Sequence, residues 1–131
     1  MIEKFTLVPI DVSDQDKALR FYTEDLGFEK RQDYQMPGHP RWLTVAAKGQ
    51  ELELILSKGT RVIETPKAER TGTYVLKTND CKRDYETLKA RGVKFIETAP
   101  VEAPYGTAIH FNDPDDNHFT LIQPNPEFGK R

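Results

Sequence analysis

The sequence predicts an α+β fold made of two βαβββ modules. Three observations predict it. A cap–helix–glycine phrase occurs twice, at Asp14–Gly27 and at Asp80–Gly92, within one residue of the same length. Each phrase follows a strand-like run, 4–12 and 73–78, and precedes three more such runs. Between the halves lies a polar stretch that contains Pro66 and has no clear period, and it reads as a linker. The expected organisation is one domain, 1–131, composed of a module at 4–58, a linker at 59–70 and a module at 71–124.

In the first module, residues 4–12 (KFTLVPIDV) form the opening strand. Ser13 or Asp14 then caps a helix by accepting hydrogen bonds from its free N–H groups. Ala18, Phe21, Tyr22 and Leu26 recur three or four residues apart and share one apolar face. Gly27 ends the helix in the left-handed position that only glycine takes without strain. Strands follow over 28–36, 41–47 and 51–57, with turns at Pro37-Gly38 and Lys48-Gly49-Gln50. In the second module the strand is 73–78, and Asp80 caps a helix with Cys81, Tyr85 and Leu88 on one face, stopped by Gly92. Strands are expected near 93–98, 105–112 and 118–123.

Composition excludes several function classes. The chain has 131 residues and a formal net charge of −2, with no basic footprint for nucleic acid or an anionic membrane. No apolar run approaches the roughly 20 residues that span a bilayer. The charged N-terminus does not read as a signal peptide, and the lone Cys81 forms no internal disulfide, so a cytoplasmic location is expected. Phosphate-binding glycine loops and G-x-S-x-G elbows are absent from the sequence. Asp113, Asp115, Asp116 and Asn117 lack the spacing of a calcium loop and read as turn chemistry. His39 falls in an apparent turn, and Cys81 reads as a packing residue.

Three segments carry a resemblance: VSDQDKALRFYTEDLGF at 12–28, ELELIL at 51–56 and FNDPDDNHFTLIQP at 111–124. Together they resemble the glyoxalase/bleomycin-resistance/extradiol-dioxygenase (vicinal oxygen chelate) superfamily. Asp116 stands where that family's turn usually has glycine; aspartate tolerates a positive φ better than most residues. The resemblance implies curved mixed sheets around a concave cavity that takes ligands, and a two-fold homodimer. In metal-using relatives the ligands come from the first and last strands of each module. Those positions fall here on Leu7, Glu53, Thr73 and Thr120. Leucine has no lone pair to give, and a neutral hydroxyl is a poor ligand, so no metal and no other cofactor is expected.

The residues expected to line the cavity are Leu7 and Thr73, which the resemblance implies, with Trp42, Thr44, Glu53, His110, His118 and Thr120, which strand alternation sets on the same faces. Leu52, Leu54, Leu56, Leu43, Val45, Ile109 and Phe111 would then face the core. Glu53 is the one candidate catalytic base, with pairing to a surface cation as its structural alternative. Trp42 reads equally as packing or as a stacking platform, and His110 as a structural or a functional histidine. A metal site of His110, His118 and Glu53 lies outside the family pattern.

The expected function is metal-independent binding of a small organic molecule, in drug resistance or sequestration. Bleomycin, a cationic drug, is one candidate ligand. The alternative is a glyoxalase-like lyase or isomerase, or a dioxygenase, using Glu53 and an unrecognised divalent metal site. A third reading is an accessory scaffold domain.

Overall fold

The computed structural model describes residues 1–58 and 73–127. The expected linker, 59–70, lies outside the described residues. The chain divides into two compact units, Met1–Glu64 and Thr65–Arg131. Each holds a four-stranded mixed sheet, and the two follow one plan.

In the first unit, β1 (Leu7–Asp11) leads to α1 (Gln15–Arg20), which continues as a π-helical turn over Phe21–Asp25. Then come β2 (Glu29–Tyr34), β3 (Trp42–Ala46) and β4 (Glu53–Ser57). The sheet order is β1-β4-β3-β2, with β1 parallel to β4 and the other pairs antiparallel. In the second unit, β5 (Tyr74–Lys77) precedes α2 (Cys81–Ala90), followed by β6 (Val101–Ala103), β7 (Gly106–Asn112) and β8 (His118–Pro124). The order β5-β8-β7-β6 and the single parallel pair, β5 with β8, repeat the first unit's plan. This is the α+β fold of two βαβββ modules that the repeat predicts.

The helix signals act as expected. Asp14 accepts a hydrogen bond from the Lys17 N–H at 3.0 Å, and Asp80 accepts one from the Arg83 N–H at 3.0 Å. The Asp14 carboxyl lies below its usual range, chiefly through that Lys17 bond. Gly27 and Gly92 both take positive φ, 79° and 95°. Asp116, at φ 61°, is the only non-glycine described with positive φ. Its turn is held from one side chain: Asp113 Oδ1 accepts from the N–H groups of Asp115 (2.9 Å) and Asn117 (2.8 Å).

Each core forms mainly where alternation directs it, but Leu52 and Leu54 are only half-buried, and Thr44 and Ala46, on the face expected to line the cavity, are buried. In unit 1, Ile10, Leu43, Val45 and Leu56 are almost wholly buried, as are Ala18 and Tyr22 of the helical segment. Gln15 anchors the start of α1 by donating to the Leu56 carbonyl at 2.9 Å. In unit 2 the core is an aromatic series. Tyr74 stacks on Phe119 (5.2 Å), Phe119 on Phe111 (5.2 Å, interplanar 4°), Phe111 meets Phe95 edge-on (5.7 Å), and Phe95 meets Tyr85 (4.9 Å). Cys81 is fully buried, and burial pushes its thiol up from the ordinary value.

Three expectations need correction. The opening strand begins at Leu7; Met1 to Thr6 are exposed and precede it. The first helix keeps regular α geometry only to Arg20, then widens into the π-helical turn, though its apolar face is buried as predicted. The strand expected at 93–98 is reduced to a single bridge between Phe95 and Phe111, and the outer strand is Val101–Ala103. The cause is a side chain. Glu97 Oε1 takes the His110 N–H at 2.8 Å, a donor that a continuing β-ladder would use. Among the described residues, no helix is long and apolar enough to cross a membrane.

Candidate functional site

Four of the eight predicted lining residues sit in unit 1. Leu7 lies opposite Glu53 in the parallel pair of β1 and β4, and Thr44 lies opposite Ile55 in the antiparallel pair of β3 and β4. Glu53 Oε1 accepts the Thr44 hydroxyl proton at 2.7 Å and a Gln32 side-chain N–H at 3.0 Å. The backbone N–H of Gln32 donates in turn to Thr44 Oγ1 at 3.1 Å. Thr44 is fully buried, so its hydroxyl is committed to these two bonds. Trp42, two residues along the same strand face, stacks on Tyr34 with centroids 6.3 Å apart.

Gln32 was missed by alternation, and a β-bulge explains why. Lys30 pairs with Val45, yet Gln32 pairs with Thr44, so Arg31 is one residue too many in β2. Unbroken alternation would have set Arg31 beside Thr44. No sequence signal marks the bulge.

The other four predicted residues sit in unit 2. The Thr73 and Thr120 hydroxyls meet at 3.0 Å, and Thr73 Oγ1 also lies 3.1 Å from the His118 carbonyl oxygen. The rings of His110 and His118 stack with centroids 5.3 Å apart and an interplanar angle of 9°. His118 Nδ1 is 2.9 Å from Asn112 Oδ1, and His110 Nδ1 is 2.6 Å from Glu97 Oε2. A carboxylate only accepts, so that contact places the Nδ1 proton of His110 between the two groups. Glu97 is the partner that sequence reasoning could not name. It is separated from His110 by 13 positions and is brought to it by the Phe95–Phe111 bridge and the adjoining bond from the Ile96 N–H to the His110 carbonyl, 2.9 Å.

Burial is the largest influence on the Glu97 carboxyl and would raise its pKa. The hydrogen bonds from the His110 N–H and ring together outweigh it and hold the group below the usual carboxylate range. A carboxyl depressed on folding stabilises the fold fully above its unfolded value, and the contribution fades as pH falls through its folded one. The melting temperature of Glu97→Gln is therefore expected to lie below the parent's at neutral pH and to converge with it as pH falls through and below the usual carboxylate range. Parallel melting curves across that range would remove Glu97 from the acid response.

The positions where a family metal would be ligated carry one carboxylate, one aliphatic side chain and two hydroxyls. In unit 1, Leu7 faces a Glu53 already held by two neutral donors; in unit 2, the two threonine hydroxyls bond to each other. Zinc and iron centres draw on three good imidazole, thiolate or carboxylate ligands, and this set does not fit one. Among the described residues, no group of three or more His, Cys, Asp or Glu is placed to hold a metal ion.

The profile of the Glyoxalase/Bleomycin resistance protein/Dioxygenase superfamily matches residues 5–121. The chain belongs to that superfamily. An uncharacterised Bacillus subtilis (strain 168) protein, YetH, is 35% identical over 127 residues, spanning 92% of this chain and 98% of its own. TnmS3, described as an antibiotic-binding protein from Streptomyces sp. CB03234, superposes with a TM-score of 0.80 at 37% identity, covering 95% of this chain and 98% of that one. A superfamily member from Sphaerobacter thermophilus DSM 20745 superposes with a TM-score of 0.77 at 34% identity, covering 93% and 98%.

Proposed function

We propose that this superfamily member binds a small organic molecule without the help of a metal ion, as a sequestering or drug-resistance protein. The observation that carries the reading is the state of Glu53. Its carboxylate faces Leu7 across the strand pair and is gripped by the neutral donors of Thr44 and Gln32. That arrangement suits a fixed hydrogen-bond acceptor for a ligand. Ligand recognition of this kind needs apolar area with a few oriented polar groups; Leu7, Trp42 and Glu53 offer both on one sheet face, with the buried Thr44 holding Glu53 in place. The antibiotic-binding description of TnmS3 supports the same reading.

The test pairs metal analysis with a thermal-shift screen of antibiotics, bleomycin included, on protein purified without chelator. The expected result is substoichiometric zinc, nickel, iron and manganese, and at least one compound that raises the melting temperature equally with and without EDTA. A ligand at 100 times its Kd adds about 2.7 kcal/mol, or about 10 °C for a chain of this size. Stoichiometric metal, or a ligand response abolished by EDTA, would overturn the reading in favour of a metal-dependent lyase, isomerase or dioxygenase.

A further inference from the structure

Trp42 is the chain's only tryptophan. Its Nε1 is buried and has no hydrogen-bond partner among the described residues. A buried N–H left unmade costs free energy, so native structures rarely leave one without a use. Tyr34 stacks against the indole at an interplanar angle of 24°, which restrains the ring. On the same sheet face lies the Glu53 carboxylate, whose recorded side-chain bonds, from Thr44 and Gln32, both fall on Oε1. No ion pair joins Glu53 to a Lys or Arg among the described residues.

We propose that this face of unit 1 is a subsite for a ring-sized organic ligand carrying a carbonyl acceptor at one end and a hydroxyl or amine donor at the other. The inference deepens the binding function proposed above and rests on it. Trp42 Nε1–H donates to the carbonyl oxygen, and Glu53 Oε2 accepts from the hydroxyl or amine. Trp42 stands two strand residues, about 7 Å, from the Thr44 that holds Glu53, so donor and acceptor come from neighbouring positions of one sheet face. The uncompensated negative charge of Glu53 repels carboxylates, phosphates and phenolates, so the ligand enters neutral or cationic. The pair thus sets both the polarity and the orientation of what binds.

A single tryptophan gives the test a direct readout, because the 15N-labelled chain shows one indole N–H resonance. The probe is 4-hydroxyacetophenone, whose phenol and ketone sit at opposite ends of one ring. Two comparators each lose one function: 4-methoxyacetophenone lacks the donor, and 4-ethylphenol lacks the acceptor. At the efficiency of ordinary small ligands the probe should bind with a Kd of about 1–10 mM. It is expected to move the indole proton downfield saturably and to bind about tenfold more tightly than either comparator. In Glu53→Gln, the advantage over 4-methoxyacetophenone should fall below about threefold, since the acceptor is then neutral.

Equal binding of all three probes, an indole resonance that stays put at saturation, or an undiminished advantage in Glu53→Gln would overturn the subsite. No probe binding at about 20 mM would do the same. If antibiotics from the screen still raise the melting temperature after such a result, the binding function stands and only this subsite fails. If nothing binds in either experiment, both fail. The comparator arms use the unaltered chain, so they decide the matter even if the variant does not fold.

Discussion

Phe119→Ala is expected to destabilise the protein by about 3–5 kcal/mol, measured by urea unfolding at neutral pH. Phe119 has no exposed surface and stacks on two rings at once, Tyr74 and Phe111, each with centroids 5.2 Å away. Truncation removes the apolar area of the ring. It also opens a cavity between two partners that are fixed in adjacent strands and so cannot collapse into it. Tyr74 lies directly opposite Phe119 in the β5–β8 pair, and Phe111 lies directly opposite it in the β7–β8 pair, so the lost contacts reach three strands. A loss below about 1 kcal/mol would show that the ring series is not the main support of the second unit.

Gly106→Ala is the second large effect, about 2–4 kcal/mol. Gly106 opens β7 at φ 146°, and a Cβ there would stand 2.2 Å from the Gln123 carbonyl oxygen and 3.0 Å from both the Asn125 nitrogen and Pro124 Cα. All three obstacles are backbone atoms. They cannot swing aside as a side chain would, so the end of β8 must move away from β7. Gly92→Ala provides the control. That residue also has positive φ, at 95°, but a Cβ there meets nothing within 4 Å, so only the conformational cost of about 1–2 kcal/mol applies. Equal melting temperatures for the two variants would argue against the close approach at Gly106.

Most of the fold was legible because local chemistry and periodicity agreed. The twin capping aspartates and helix-ending glycines announced the repeat, and the leucine alternation of β4 set its register correctly. Asp116 kept the turn by adopting the positive φ that its residue type tolerates. The failures share a cause: a long-range partner overrode a local pattern. The run at 93–98 has strand composition, but the Glu97 carboxylate intercepts the His110 N–H, and the ladder stops. Gln32 stayed hidden because alternation cannot register a surplus residue. Thr44 and Glu53 could be assigned to one face, yet the bond that joins them, and the Glu97–His110 pairing, depend on which strands become neighbours. Those are facts of topology.

The surplus Arg31 also bears on how kindred chains should be aligned. Because Lys30 is matched with Val45 and Gln32 with Thr44, a chain one residue shorter in β2 could shed position 31, straighten that strand, and still present its glutamine equivalent to the threonine. Length variation there is absorbed where it occurs and does not propagate. A gap placed at position 31, and not in the hairpin that follows, keeps Gln32 and Tyr34 matched to their true counterparts.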